Sequence, residues 1–384
     1  MRSPVLTSRL PDVGTTIFTT ISQLAQRHAA INLGQGYPDF DPPEALLTRL
    51  HHHVHHGANQ YAPMAGAPAL LAAIAAKLKR VYAREVDALT QVTVTCGGTQ
   101  ALASAIQALV HPADEVILLD PAYDAYAPLV RLAGGVPIRV PLVAADFSVD
   151  WARVRAAITP ATRLMILNNP HNPSGASFTV SDLDALEAIV ATTPLWLLAD
   201  EVYEHMVFDG QPHQSLHSRE SLWERAVVVA SFGKTYHVTG WKVGYCVASV
   251  ALTAEIRKIH QFMTFAISHP MQLALADFLT ATPQWEQELV PFYTAKRDRL
   301  AAWLKRSRFG FTPSPATYFQ VVDYAEISDL PDTQFVQQLI SEHGVAAIPL
   351  SVFYAEKPSA KRIRLCFAKS DAVLDQGGER LAAL

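Results

Sequence analysis

Cysteine is scarce in this sequence. It occurs 3 times in 384 residues, at Cys96, Cys246 and Cys366. An odd number of widely spaced thiols suits neither a disulfide framework nor a metal site, so a reducing compartment is expected. An excess of one charge is lacking too: 31 Lys and Arg face 35 Asp and Glu, a net charge of −4. The signs are interspersed and no basic stripe stands out, which argues against nucleic acid as the main partner. Long apolar runs are missing. Those present have strand length, so no membrane span is expected. The N-terminal stretch carries no long apolar core of a signal peptide. The expected setting is soluble and cytoplasmic. No Gly-x-Gly-x-x-Gly follows the first strand candidate, so a nicotinamide dehydrogenase is poorly supported. No internal repeat or low-complexity segment is evident.

What is present is a large apolar fraction, 50% of residues, in a chain longer than one typical domain. From about residue 91, short apolar strands alternate with helices. The strand candidates are Val92–Thr95, Val116–Leu119, Leu164–Leu167, Leu195–Ala199, Val227–Ala230 and Val243–Ala248. Helices are expected at Ala101–Leu109 and at Ser181–Val190, the latter with Ser181 as N-cap. This alternation predicts an α/β fold, a mostly parallel sheet covered by helices on both faces. Ligands in such folds sit beyond the C-terminal strand ends. A helical stretch from about 270 to 307, broken near Thr282-Pro283, leads to a smaller α+β unit. The expected division is an N-terminal arm over 1–30 with one short helix, counted as part of the small domain, a large domain over 31–270, an interdomain helix over 271–307 and a small domain over 308–384.

The polar residues gather at the strand ends. Lys234 follows Val227–Ala230 within Ser231-Phe232-Gly233-Lys234-Thr235, and Asp200 closes Leu195–Ala199. A phosphate-binding loop of the nucleotide type needs glycine five positions before Gly233, where Val228 stands. Ser231 and Lys234 share the spacing of penicillin-binding enzymes, whose partner motifs are absent. Pyridoxal phosphate suits the pieces better. It needs a lysine for a Schiff base and a carboxylate beside the pyridine nitrogen. Lys234 and Asp200 can supply these. The phosphate needs amides at a helix start, for which Gly98-Thr99-Gln100 are available, with Ser231 and Lys242 as further donors. Tyr123 offers an aromatic face.

With those residues in view, the sequence resembles the fold-type-I, class I pyridoxal-phosphate aminotransferases, above all the methionine, kynurenine and glutamine aminotransferase group. The resemblance is carried in order by Asn32 to Phe40, Gln60-Tyr61, Gly97 to Gln100, Asp120 to Tyr123, Asn168 to Gly175, Asp200 to Tyr203, Ser231 to Tyr245 and Arg362 to Phe367. It implies that Lys234 binds the cofactor and shuttles the α-carbon proton. Asp200 pairs with the pyridinium, Asn172 and Tyr203 with the ring hydroxyl, and Tyr123 stacks on the ring. Gly98, Thr99, Gln100, Ser231 and Lys242 hold the phosphate. Tyr61 reaches the phosphate of a neighbouring subunit, which makes the active unit a homodimer. Arg364 clamps the substrate carboxylate, helped by Gly36 and Asn172. A ping-pong exchange between an amino acid and a 2-oxo acid follows.

The entrance candidates Phe18, Tyr37, Phe262 and Phe353 are aromatic, and no second arginine for an acidic side chain is located. This favours methionine, aromatic amino acids, kynurenine or glutamine, and methionine comes first because the run Lys234 to Tyr245 most resembles the methionine enzymes. A carbon–sulfur β-lyase on the same cofactor is one alternative; a nucleotide-binding switch or ATPase built on Gly233-Lys234-Thr235 is another. Taken singly, each residue has an ordinary structural reading. Lys234 or Lys242 can be a solvated loop lysine, Asp200 a cap, and Arg364 a surface-paired strand residue with Arg362 as its rival. The ordered set carries the reading. His51, His52, His53, His55 and His56 read as a solvated helix face, and no metal is expected. His171 and His237 fall near the site, as packing or as substrate contacts.

Overall fold

The computed structural model describes residues 5–384. Its main sheet has seven strands in the spatial order Val92–Cys96, Val243–Ala248, Ala226–Ser231, Trp196–Asp200, Thr162–Asn168, Glu115–Asp120 and Val136–Pro141. Only Val243–Ala248 runs antiparallel to its neighbours. The sheet is therefore mostly parallel, as expected.

The apolar runs are continuous because both faces are buried. Val116, Leu118, Leu164, Ile166, Val227 and Val229 pack on one side with the helices Gly97–Leu109 and Val250–Met263. The alternate residues Ile117, Leu119, Met165, Leu167 and Val228 pack on the other with Val180–Val190. That last helix corrects the expected cap. Thr179, not Ser181, accepts from the Asp182 amide while Asp182 answers the Thr179 amide, a reciprocal capping box. Val136–Pro141 was not foreseen as a strand. It holds two prolines, Pro137 and Pro141, which an edge position tolerates.

The helices His269–Ala281 and Trp285–Leu304 fall either side of the foreseen break at Thr282-Pro283. Beyond them lies a three-stranded antiparallel sheet, Ile348–Pro349, Arg362–Cys366 and Phe319–Asp323. Its core also takes in Ile21 and Ala25 of the helix Ile17–Arg27, together with Leu33. Ile31–Asn32, assigned from sequence to the start of the large domain, pair in parallel with Val345–Ala346. The segment that follows, Gly34 to Tyr37, runs from this separate two-stranded pairing toward the strand ends of the large sheet.

Candidate active site

Asn168 lies opposite Asp200, and Ser231 opposite Gly244. The sheet register, parallel for the first of these pairs and antiparallel for the second, brings the site residues together. Around them is a cavity of about 280 Å³. Its lining includes the predicted residues Phe18, Gly36, Gly98, Thr99, Tyr123, Asn172, Asp200, Tyr203, Ser231, Lys234, Lys242 and Arg364.

One part of the lining is an anion cradle. The helix Gly97–Leu109 has no side-chain cap, so its first amides stay available. Gly97 sits at φ 70°, and a Cβ there would meet Lys242 Nζ at 3.3 Å. The bare backbone is what lets the ammonium approach. Gly244 is as constrained: a Cβ would lie 2.8 Å from the Gly97 carbonyl carbon and 2.9 Å from Ala230 O. With the Ser231 hydroxyl, these groups suit a phosphate.

A second part is acidic. Asp200 is buried and accepts a hydrogen bond from the Tyr126 hydroxyl at 2.7 Å. Burial pushes its carboxyl up to about 6, against the pull of that hydrogen bond, the Val202 amide and the charge of Lys234. Lys234 stands on a single helical turn, Phe232–Thr235, directly after its strand. Desolvation draws its ammonium down to about 8, with Arg364 and Lys242 acting in the same direction against Cys366 and Asp200. Its Nζ donates to Gly36 O at 3.3 Å and faces the rings of Tyr203 and Tyr318 at 5.8 and 5.7 Å. An amine so placed is available as a nucleophile and base near neutral pH.

The third part is cationic. Arg364 is only 1% exposed, in the middle of its strand. One Nη donates to Asn172 Oδ1 at 2.6 Å, and the guanidinium lies 3.9 Å from the Phe319 ring centroid. Its Nε has no partner. A buried guanidinium with an unused donor calls for an anion. Arg362 donates instead to Ala144 O, lies over Phe147 and does not line this cavity. Cradle, carboxylate, amine and aromatic face together fit pyridoxal phosphate.

Five predicted residues do not line this cavity. The Gln100 side chain turns inward, accepting from the Cys96 amide and bonding Ser104 and His260; the expectation for this residue concerns its backbone amide, which these bonds do not use. Phe353 packs 5.0 Å from the Arg364 guanidinium, outside the lining. The Tyr37 ring lies 4.8 Å from Lys369 Nζ. Tyr61 and Phe262 point outward, 82% and 85% exposed.

Sequence reasoning missed Tyr126 and Tyr318; the latter's hydroxyl donates to Gly36 O at 2.6 Å. His171 is a packing residue, bonded to Ser174 and Pro121 O, and burial holds it down at about 4. His237 packs against Phe40 and Phe292 outside the lining. In the histidine helix, His53 pairs with Asp277 at 2.8 Å, a partner sequence spacing did not reveal. No cluster of three potential metal ligands exists among the described residues. A larger cavity, about 580 Å³, lies beyond the Asn168–Ser174 loop. Its polar residues Arg362, Asp146, Asp182 and His171 are already hydrogen-bonded. The nucleotide alternative fails on geometry: Val228 lies mid-strand, leaving no loop to wrap phosphates.

Comparison with known proteins agrees. Residues 29–381 match the family model "Aminotransferase class I and II". The methionine aminotransferase of Escherichia coli is 53% identical over 377 residues, covering 98% of each chain. Human kynurenine–oxoglutarate transaminase 1 is 32% identical, over 97% of this chain and 96% of that one. The crystal structure of YbdL from Escherichia coli, reported with a methionine aminotransferase function, superposes with TM-score 0.98 at 52% identity, covering all of both chains.

Proposed function

The chain belongs to the class I and II aminotransferases and moves amino groups between amino acids and 2-oxo acids with pyridoxal phosphate; on that premise we propose that methionine is its preferred donor. Aromatic amino acids, kynurenine and glutamine are the further substrates. The observation that carries this reading is the set of cations in the cavity lining. Three are present among the described residues: Lys234, Lys242 and Arg364. We assign Lys242 to the phosphate, Arg364 to the substrate α-carboxylate and Lys234 to the cofactor. None remains for an acidic side chain, and Phe18 and Phe319 flank Arg364.

When bound, pyridoxal phosphate supplies an electrophilic carbon and an electron sink for the substrate α-carbon. The chain's residues do the rest. Asp200 holds negative charge where a pyridine nitrogen must stay protonated. Asn172 and Tyr203 serve the ring hydroxyl, and Tyr123 covers the ring face. Arg364, already braced by Asn172, fixes the substrate carboxylate and so aims the α-hydrogen. The Lys234 amine would take that proton and return it at the neighbouring carbon.

The active unit in this reading is a homodimer. Tyr61 and Phe265, both exposed with ring centroids 5.5 Å apart, form an apolar pair suited to a second copy, with Tyr61 reaching the partner's phosphate. The three free thiols suit the cytoplasm. The test is spectroscopic. Methionine added without an oxo acid should bleach the visible band of the bound cofactor, and a 2-oxo acid should restore it. Bleaching by aspartate but not by methionine would overturn the substrate assignment.

A further inference from the structure

Tyr126 belongs to no motif in the sequence, yet it touches two of the groups assigned to the cofactor. It opens the helix Tyr126–Leu132 and is buried. Its hydroxyl donates to Asp200 Oδ2 at 2.7 Å. Its ring meets Tyr123 edge-on, with centroids 5.5 Å apart and planes at 78°. Asp200 has little other support. The Val202 amide approaches Oδ1 at a long 3.4 Å. Lys234, the nearby cation, acts on it through its charge alone, and burial draws that ammonium down to about 8.

A carboxylate in that position is pulled two ways. Desolvation favours its neutral form, and the Tyr126 hydrogen bond is foremost among the influences opposing this. A neutral Asp200 could not hold a pyridine nitrogen protonated.

We propose that Tyr126 is a positioning residue for Asp200: its hydroxyl fixes Oδ2 and keeps the carboxylate ionised, leaving the remaining lone pairs for a protonated ring nitrogen. Tyr126 does not touch the reacting atoms. It acts through Asp200, and through its edge contact it also sets the orientation of the Tyr123 ring. The inference rests on the assignment of Asp200 to the cofactor nitrogen.

The test uses Tyr126→Phe, which keeps the ring and its contact with Tyr123 and removes one hydroxyl. The affinity of apoprotein for pyridoxal phosphate is measured by fluorescence quenching near pH 7.5. The same titration is run with the 1-deaza analogue, which has carbon in place of the ring nitrogen. A hydrogen bond to a charged group is worth about tenfold in binding. The expected result is a loss of about tenfold, and at least threefold, for the natural cofactor, with less than twofold loss for the analogue. In an Asp200→Asn background the same substitution should change nothing further. A smaller loss for the natural cofactor, or an equal loss for both ligands, overturns the positioning role and makes Tyr126 a packing residue. If Asp200→Asn alone binds the cofactor like wild type, the assignment of Asp200 itself falls, a failure distinct from that of Tyr126.

Discussion

Replacing Arg364 by lysine tests the substrate clamp most directly. The guanidinium is held in plane by Phe319, Phe353 and Phe18, with centroids at 3.9, 5.0 and 5.5 Å. One Nη is committed to Asn172, and Nε is unpaired. A planar fork can give a carboxylate two parallel N–H bonds, whereas an ammonium is a point charge with no such geometry. Arg364→Lys keeps the charge and forfeits one charge-assisted hydrogen bond, about 1.5–3 kcal/mol. That corresponds to a fall of roughly 10- to 150-fold in kcat/KM. The carboxylate is bound before and during the proton transfer alike, so the loss should appear mainly in KM. The assay is the half-reaction with methionine followed by stopped-flow absorbance, rate against concentration. Cofactor affinity and Tm, measured alongside, should stay near wild type, because lysine can still donate to Asn172. A kcat/KM within threefold of wild type, or a loss confined to kcat, would refute the clamp.

Three further outcomes are expected. The amine of Lys234 is drawn down to about 8, so the rate at which apoprotein attaches pyridoxal phosphate should climb about tenfold per pH unit below 8 and level off above it; a rise continuing past pH 10 contradicts this. Glu204 is buried, and although burial alone would raise its carboxyl, Lys77 at 2.5 Å and His205 hold it well below the usual range. Its stabilising share is therefore present above the ordinary carboxylate pKa of about 4.3 and lost as acid protonates it. Glu204→Gln, which leaves Lys77 buried without its counter-charge, should cost about 3–5 kcal/mol in urea unfolding at neutral pH; a cost under about 1 kcal/mol tells against the pair. Gly244→Ala would drive a methyl into the Gly97 and Ala230 backbone and should weaken phosphate or cofactor binding at least about tenfold; wild-type affinity in dialysis would show that the cradle tolerates it.

The sheet was readable because its strands are buried on both faces, which turns each into an unbroken apolar word with a polar full stop. Asp200, Ser231 and Lys234 stand at those stops. The edge strand Val136–Pro141 breaks that rule, with Arg139 and two prolines, and so reads as loop. Arg362 and Arg364 share one strand face in sequence logic. Only the packing of Phe147 against one and Phe319 against the other tells them apart. Tyr126 was illegible for another reason. Its partner Asp200 is 74 residues away, and nothing local to either marks the hydrogen bond. The inward bonds of the Gln100 side chain to Ser104 and His260 were hidden in the same way, since His260 is 160 residues distant.

The pairing of Ile31–Asn32 with Val345–Ala346 has a bearing on how the protein is made. Gly34 O and Arg364 Nη2 meet at 3.4 Å from 330 residues apart in the chain. At roughly 5–20 residues per second, a ribosome needs about 15–65 s to deliver the second after the first. The strands that form the phosphate cradle, by contrast, are all complete once Ala248 has emerged. The nascent polypeptide can thus hold a phosphate-binding half before its carboxylate-binding half exists. The pairing of Ile31–Asn32 must wait until translation is almost over, when Val345–Ala346 emerge.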